Sequence, residues 1–140
     1  MPVLFDSSLY IHALRPGGDA TLVLKRWARE SPVWLSSVVL EELFAGADPK
    51  DHRILDRLER DFERAGRILV PNLKDWIHAG RMLSMLARKY GFERIGKARL
   101  TNDALIAASA SRMGILVLSA NSRDFARFAE FCPLQWRQEP

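Results

Sequence analysis

Apolar residues form two kinds of pattern along the chain, short continuous runs and longer stretches in which they recur every three or four positions. The short runs predict buried strands, because a strand covered on both faces carries apolar side chains at successive positions. The longer stretches predict amphipathic helices, since residues three and four apart share a helix face. The predicted strands are 3–5, 33–35, 67–70, 115–118 and 133–136, and the predicted helices are 8–14, 20–30, 37–46, 51–65, 73–90, 102–113 and 122–130.

Strands alternate with helices throughout this pattern, which is typical of a parallel sheet with helices on both faces. The longest helix has an apolar stripe that is predicted to face the core and consists of Trp76, Ala79, Leu83, Leu86, Ala87 and Tyr90. A chain of 140 residues is long enough for one domain with a substantial core. We predict a single domain over 1–137.

Small polar residues mark where two of the helices begin. Ser37 is the predicted N-cap of the helix after the second strand, and Thr101 or Asn102 is the predicted N-cap of the helix that ends at Gly114. Asp103 then lies in a first turn, where the helix dipole favours a carboxylate.

Acidic and basic residues balance around the helix 51–65. Asp56 precedes Arg60 by four positions, and Glu63 precedes Arg67 by four. Pairs at this spacing stabilise a helix by a few tenths of a kcal/mol. We predict a solvated helix with ion pairs along its surface.

The composition limits the classes of function. The single cysteine, Cys132, excludes an internal disulfide, and the three scattered histidines form no zinc-ligand pattern. No apolar run approaches the roughly 18 residues of a membrane span, and the amino terminus has no signal-peptide pattern. We expect a cytoplasmic protein that does not enter a membrane.

The formal net charge is +4, and basic residues concentrate between positions 81 and 99. Contact with phosphates explains this concentration, and a solvated helix face explains it as well. The residues concerned are Arg81, Arg88, Lys89, Arg94, Lys97 and Arg99, opposed only by Glu93.

Acidic residues lie near strand ends or helix starts in three segments of the chain. Asp6 follows the first strand, Glu41 and Glu42 lie about a turn into the helix after the second, and Asp103 lies near the start of its helix. Each acid taken singly is explained as a cap or an exposed residue. The carboxyl ends of parallel strands nevertheless share one edge, where ligands bind in open α/β sheets.

If Asp6, Glu42 and Asp103 lie about 5 Å apart, each pair repels by roughly 3 kcal/mol at an effective dielectric constant of 20. The sequence offers no evident buried basic partner, so this cluster requires a cation. Oxygen ligands without cysteine or histidine select Mg²⁺ or Mn²⁺. The pattern therefore predicts a metal site suited to hydrolysis of a phosphodiester.

Four segments resemble the sequence motifs of PIN-domain ribonucleases. They read V-L-F-D-S-S, S-V-V-L-E-E-L-F-A-G, N-D-A-L-I-A-A-S-A and L-V-L-S-A-N-S-R-D-F. Their order and separation resemble those of the VapC toxins of toxin-antitoxin pairs, and the resemblance covers essentially the whole chain. It implies a three-layer α/β/α fold around a central, mainly parallel sheet of four or five strands.

The resemblance makes Asp6 and Asp103 the principal magnesium ligands, and Glu42 matches the motif glutamate better than Glu41 does. Many family members carry a fourth acid where this chain has Asn121, so the number of metal ions stays open. Asp124 is either a replacement ligand or a helix cap.

Supporting residues follow from the same resemblance. Ser7 and Ser8 are expected to donate hydrogen bonds that orient Asp6, and Asn102 is expected beside the ligands. The basic residues expected to hold the RNA backbone are Arg94, Lys97 and Arg99.

The function implied by the resemblance is that of a magnesium-dependent endoribonuclease, which Mn²⁺ also supports. Such a toxin cleaves a structured RNA, either transfer or ribosomal RNA, and inhibits translation and growth. The resemblance also implies a homodimer and a VapB-like antitoxin, with DNA contacted only through the antitoxin. Trp27, Trp34 and Phe44 are apolar enough to line an antitoxin groove, although core packing explains each of them as well.

Two other classes of function fit part of the sequence. Asn121 also suits a PIN-like module that binds RNA or dimerises with little catalysis. A phosphoacceptor receiver domain likewise places acids at strand ends, but it needs adjacent acids after the first strand and an aspartate after the third. Here Ser7 follows Asp6, and Pro71 follows Val70.

Overall fold

The structure, a computed structural model, describes residues 1–14, 20–91, 98–120 and 123–139. Its centre is a sheet of five strands: β1 (Val3–Phe5), β2 (Val33–Ser36), β3 (Ile68–Leu69), β4 (Leu116–Ser119) and β5 (Trp136–Gln138). The α-helices are α1 (Ser7–Leu14), α2 (Ala20–Glu30), α3 (Ser37–Gly46), α4 (His52–Arg64), α5 (Leu73–Tyr90), α6 (Ala98–Met113) and α7 (Arg123–Phe128). A single 3₁₀ turn, Pro49–Asp51, precedes α4.

Neighbouring strands of the sheet are parallel, and their order is β3-β2-β1-β4-β5. Every residue of β1 and β4 is buried, as expected where helices cover both faces of a sheet. The prediction of a three-layer α/β/α fold with a parallel sheet is confirmed. Receiver domains have the strand order 2-1-3-4-5, so this topology excludes the receiver alternative.

The last strand begins later than predicted. The sequence places it at 133–136, whereas β5 covers Trp136–Gln138. The intervening residues form a tight turn in which the Leu134 amide donates to the Cys132 carbonyl at 2.8 Å. Leu134 is buried there, so the apolar residue that suggested a strand packs into the core from a turn.

The predicted N-cap of α3, Ser37, is wrong by one residue. Ser36 is the N-cap, and its hydroxyl accepts a hydrogen bond from the Val38 amide at 3.1 Å. Ser37 is the first residue of the helix. Ser36 is therefore both the last residue of β2 and the N-cap of α3.

The predicted start of α6 is also wrong, because the helix begins at Ala98. Thr101 and Asn102 lie inside the helix, and Asp103 lies in its second turn. Leu100, which is buried, attaches the additional turn to the core.

The apolar stripe predicted on α5 is wrong at Trp76, whose side chain is 55% exposed. The buried face of α5 begins one residue earlier, with Asp75, and continues through Ala79, Met82, Leu83, Leu86 and Ala87. Of the two roles considered for Trp27, Trp34 and Phe44, the structure favours core packing, since all three are partly buried against the core.

The predicted ion pairs of α4 are not formed. None of the three ion pairs in the described ranges involves this helix. Arg60 donates instead to the backbone carbonyl of Asp56, at 3.4 Å.

The carboxyl end of β5 is attached to α2 through Glu139, which is buried. Its carboxylate accepts hydrogen bonds from the Trp27 indole and from the Arg26 guanidinium, each at 3.3 Å. Its backbone amide donates to the Ser119 carbonyl at 2.8 Å. These contacts hold the ends of β4 and β5 against α2.

Asp75 fixes the start of α5 and also joins that helix to α6. In a capping box, its carboxylate accepts from the Asn72 amide at 3.0 Å while the Asn72 side chain accepts from the Asp75 amide at 2.9 Å. Arg112 of α6 binds the same carboxylate, with its Nε 3.0 Å from each oxygen and its Nη2 2.9 Å from Oδ2. This bidentate pair explains why the face that begins at Asp75 points inward.

We expect Asp75→Ala to lower the free energy of unfolding by about 3 kcal/mol, because the change removes the helix cap and leaves the Arg112 guanidinium without its partner. Urea denaturation measures this loss. The control is Asp61→Ala at an exposed position of α4, which should change stability by less than about 0.5 kcal/mol. A loss no larger than that of the control would contradict the structural role of Asp75.

Candidate active site at the carboxyl edge of the sheet

Asp6 lies at the topological switch point of the sheet. The chain adds β2 and β3 on one side of β1 and then crosses to add β4 and β5 on the other. Loops that leave such a point in opposite directions open a crevice at the carboxyl ends of the strands. Asp6 follows β1 in that crevice, where its amide donates to the Leu118 carbonyl of β4 at 3.0 Å.

Two serine hydroxyls hold the Asp6 carboxylate. Oδ1 accepts from the Ser8 hydroxyl at 2.5 Å and from the Ser8 amide at 3.1 Å, while Oδ2 accepts from the Ser119 hydroxyl at 2.5 Å. The Ser8 hydroxyl in turn accepts from the Ala120 amide at 3.0 Å. Ser8 therefore orients Asp6, as the resemblance implies, whereas the hydroxyl of Ser7, expected to do the same, interacts with Glu42.

The role of Ser119 is not predicted from the sequence. The residue ends β4, and a polar residue directly after the apolar run 115–118 is the available signal. Because β4 pairs with β1 in parallel, the ends of both strands come together at the carboxyl edge of the sheet.

Burial of the Asp6 carboxylate perturbs its ionisation. The residue is 6% exposed, and this burial raises its pKa above the ordinary value, because the charged form loses hydration. Hydrogen bonds from Ser119, from Ser8 and from the Leu9 amide act in the opposite direction. None of the ion pairs in the described part of the chain involves Asp6.

Glu42 lies close enough to Asp6 for the two charges to interact. Burial raises the pKa of Glu42 most, and the charges of Asp6 and Glu41 raise it further, while hydrogen bonds from Asn102 and Ser7 lower it. The Oε1 atom of Glu42 is buried and has no hydrogen-bond partner within the described residues. An unsatisfied carboxylate oxygen of this kind is unusual, because buried polar atoms are nearly always paired.

Glu41, the neighbouring acid, is exposed. The Asn102 amide of α6 donates to its Oε2 at 3.2 Å. The interpretation of Glu41 as a solvent-facing residue therefore agrees with its position, although the Asn102 contact draws it to the edge of the site.

An open pocket of about 500 Å³ lies beside Asp6. Its polar lining comes from α1, α3 and α6, and its lining residues are Ser7, Ser8, Ile11, His12, Glu41, Glu42, Ala45, Gly46 and Asn102. Asp103 follows Asn102 in α6 and is 9% exposed. The segments that carry Asp6, Glu42 and Asp103 thus all border this pocket.

No group of three acidic, histidine or cysteine side chains within the described ranges is arranged to hold a metal ion directly. The three-carboxylate site therefore stays a prediction. Magnesium is usually bound through one or two carboxylates and keeps several waters. Asp6, which has no cationic partner in those ranges, and the unsatisfied oxygen of Glu42 fit a hydrated ion of this type.

Several sequence-predicted residues are not placed at the site. Asn121, Arg94 and Lys97 lie outside the described residues, as does the side chain of Arg99. Asp124 lies in the first turn of α7 and is partly exposed. Both alternatives for Asp124, a replacement ligand and a helix cap, stay predictions.

We expect the pH dependence of stability in metal-free buffer to change when Asp6 is replaced by Asn. The folded-state pKa of Asp6 is raised, so the folded protein binds its proton more tightly than the unfolded chain does. The stability that this proton confers is present at low pH and is lost as the pH rises through the raised pKa. Thermal unfolding in EDTA across this range should show a larger loss in the parent than in Asp6→Asn, in which Glu42 is the remaining acid of the site with a raised pKa. Parallel curves of stability against pH for the two proteins would contradict a raised pKa of Asp6 in the folded protein.

We expect Ser119→Ala to move the same loss of stability to higher pH, because a hydrogen bond that favours the charged carboxylate is removed. The same series of unfolding measurements detects the shift. Ser84→Ala, at an exposed position of α5, is the control and should leave the curve where it is. A Ser119→Ala curve that coincides with the Ser84→Ala curve would show that the hydroxyl does not support Asp6.

Comparisons with solved structures show the same fold in toxin-antitoxin complexes. A chain of VapBC2 from Rickettsia felis, bound to a DNA fragment from the promoter, has a TM-score of 0.71 and 21% identity over 100% of both chains. A chain of DNA-bound VapBC from Salmonella typhimurium has a TM-score of 0.71 and 23% identity over 99% of this chain and 98% of that one. A chain of VapBC-5 from Mycobacterium tuberculosis has a TM-score of 0.61 and 24% identity over 99% of this chain and 98% of that one.

Comparison with curated protein sequences gives no significant match. No helix in the described part of the chain combines the length and the hydropathy needed to cross a bilayer. The sequence profile of the PIN domain matches residues 3–131. Because this match spans most of the sequence, the chain belongs to the PIN domain family.

Proposed function

We propose that this PIN domain is a divalent-metal-dependent endoribonuclease that acts as a VapC-like toxin. The observation that carries the proposal is the buried carboxylate of Asp6 at the switch point, which no described cation neutralises. Glu42 adds a second acid with an unsatisfied buried oxygen. Two desolvated carboxylates whose charges interact are stabilised together by a divalent cation.

The residues that would hold the ion are Asp6, Glu42 and Asp103, with Asn121 and Asp124 as further candidates. Mg²⁺ suits this oxygen-only set, and Mn²⁺ should replace it. A bound ion would supply the charge stabilisation and the activation of water that hydrolysis of a phosphodiester requires.

The chain's own residues prepare the site for this chemistry. Ser8 and Ser119 fix the two oxygens of Asp6 in place and favour its charged form. Asn102 attaches α6 to α3 at Glu41, so the helix that carries Asp103 is positioned before any substrate arrives. Such preorganisation is what electrostatic catalysis depends on.

We expect Asp6→Asn, Glu42→Gln and Asp103→Asn each to lower the rate of Mn²⁺-dependent RNA cleavage at least about 100-fold, because charge stabilisation by a metal ion is worth several kcal/mol. Cleavage of an end-labelled structured RNA by the purified proteins measures this, with circular dichroism as the check on folding. The matched control is Glu41→Gln, one residue from Glu42, which should keep most of the activity. Equal losses at positions 41 and 42 would refute the choice of Glu42.

The second candidate function is a PIN-like module that binds RNA or dimerises with little catalysis. Asn121 in place of an acid favours it, as does the lack of a three-residue metal group within the described ranges. Mn²⁺ titration calorimetry separates the two functions. The enzyme should show a site that Asp103→Asn abolishes, whereas the binding module should show none.

The toxin role extends the proposal to partners. The solved structures of this fold include VapBC complexes, two of them bound to DNA. By analogy, we propose a homodimer and a VapB-like antitoxin that carries any contact with DNA. Induction of the chain alone should arrest growth, and co-expression of the neighbouring small reading frame should restore it. The RNA ends that accumulate on induction would identify transfer or ribosomal RNA as the target.

A further inference from the structure

Four arginines form a continuous row on the exposed surface of α4. Arg53, Arg57, Arg60 and Arg64 are spaced by four, three and four positions and are all exposed. This spacing places them on one face of the helix. The row, called here the arginine stripe, extends over about 16 Å.

The charges of the arginine stripe are not neutralised by ion pairs. No carboxylate in the described ranges pairs with any of its members. The nearby acids Asp56, Glu59 and Glu63 recur at a similar spacing, on the face about 100° around the helix. The pKa of Glu59 is raised chiefly by its contact with Glu63, then by desolvation and by repulsion from Glu63 and Asp56, while the charge of Arg60 lowers it. Like charges are therefore grouped along α4.

Part of the stripe borders a groove of about 470 Å³ lined by Arg53, Ile54, Asp56, Arg57 and Arg60. The lining thus contains three guanidinium groups and one carboxylate. Ile54 adds an apolar side chain and is 54% exposed. Guanidinium groups bind phosphates through paired hydrogen bonds and also stack on bases. This combination suits a nucleic-acid strand, whose phosphates alternate with apolar ring surfaces.

The stripe begins next to the helix that carries Glu42. His52, the residue before Arg53, packs edge to face on Phe44 of α3, with the ring centroids 5.3 Å apart. Phe44 is followed directly by Ala45 and Gly46, which line the pocket that Glu41 and Glu42 also line, called here the acidic pocket. The contact between His52 and Phe44 thus connects the start of the arginine stripe with the end of α3 that borders this pocket.

We propose that the arginine stripe binds the phosphate backbone of the RNA strand whose scissile bond lies in the acidic pocket. This inference rests on the proposed nuclease function. A pocket lined by carboxylates repels a polyanion, so the substrate needs a positive surface beside it. The stripe supplies that surface from residues separate from Arg94, Lys97 and Arg99.

The test measures binding separately from cleavage. A triple variant, Arg53→Gln with Arg57→Gln and Arg60→Gln, is compared with its parent in an Asp6→Asn background, so that the RNA stays intact. The probe is a fluorescein-labelled single-stranded RNA of mixed sequence, and fluorescence anisotropy gives Kd over a range of salt concentrations. We expect Kd to rise about tenfold, since three exposed contacts contribute roughly a factor of two each. The slope of log Kd against log salt should fall by about 2.

The matched control removes the same number of charges elsewhere, through Lys25→Gln, Arg29→Gln and Lys74→Gln at exposed positions of α2 and α5. Its salt slope should equal that of the parent. A second variant with lysine at 53, 57 and 60 should restore the slope, because it restores the charge. An unchanged slope in the glutamine variant overturns the proposal.

Binding of a polyglutamate peptide tests the other occupant, an acidic protein segment. If the glutamine variant loses that peptide while its RNA affinity stays unchanged, the stripe is a protein-binding surface and the proposal fails. Failure of the nuclease function has a different signature. In that case the chain with Asp6 intact does not cleave the RNA in the presence of Mn²⁺, although the Asp6→Asn parent binds it through the stripe with the expected salt slope.

Discussion

The carboxyl edge of the sheet is built around a carboxylate that has been removed from water. Burying Asp6 penalises its charged form, and the hydroxyls of Ser8 and Ser119 offset only part of this penalty. Ser8 reaches Asp6 from two residues away in the chain, whereas Ser119 reaches it because β4 pairs with β1. The crossover that creates the switch point therefore also brings Ser119 to the site. The parallel arrangement of the sheet, the position of α1 and the chemistry proposed for the pocket all depend on this one geometry.

Much of the fold follows from local pattern. The strands β1, β2 and β4 coincide closely with the predicted ones, because a continuous apolar run has few stable environments other than a doubly covered sheet. Element boundaries follow less directly. The start of α6 depends on Leu100 packing into the core, and the start of β5 depends on a turn that no apolar count reveals. Tertiary contacts decide both positions.

The candidate site shows the same division. Asp6 is recognisable from sequence because it directly follows a strand. Ser119 is not, because its partner lies 113 positions earlier and only the strand order joins them. The motif favours Glu42 over Glu41, and the structure adds a physical distinction between them, since Glu42 has a buried oxygen and Glu41 is exposed.

Charge patterns were the least predictable feature. The spacing of Asp56 and Arg60 permits an ion pair, yet exposed pairs contribute little and restrict two long side chains. An ion pair does form where the carboxylate is buried: Asp75 is 2% exposed, and Arg112 pairs with it bidentately. Trp76 is exposed beside it for the same reason, since the inward direction of Asp75 fixes the rotation of α5.

The attachment of Glu139 links the far end of the polypeptide to the chemistry of Asp6. Its amide holds the carbonyl of the residue whose hydroxyl supports Asp6, and its carboxylate is clasped by α2. A change that displaced Glu139 would therefore act on Ser119 and, through its hydroxyl, on the pKa of Asp6. The position of β5 and the protonation of Asp6 are thus coupled through Ser119.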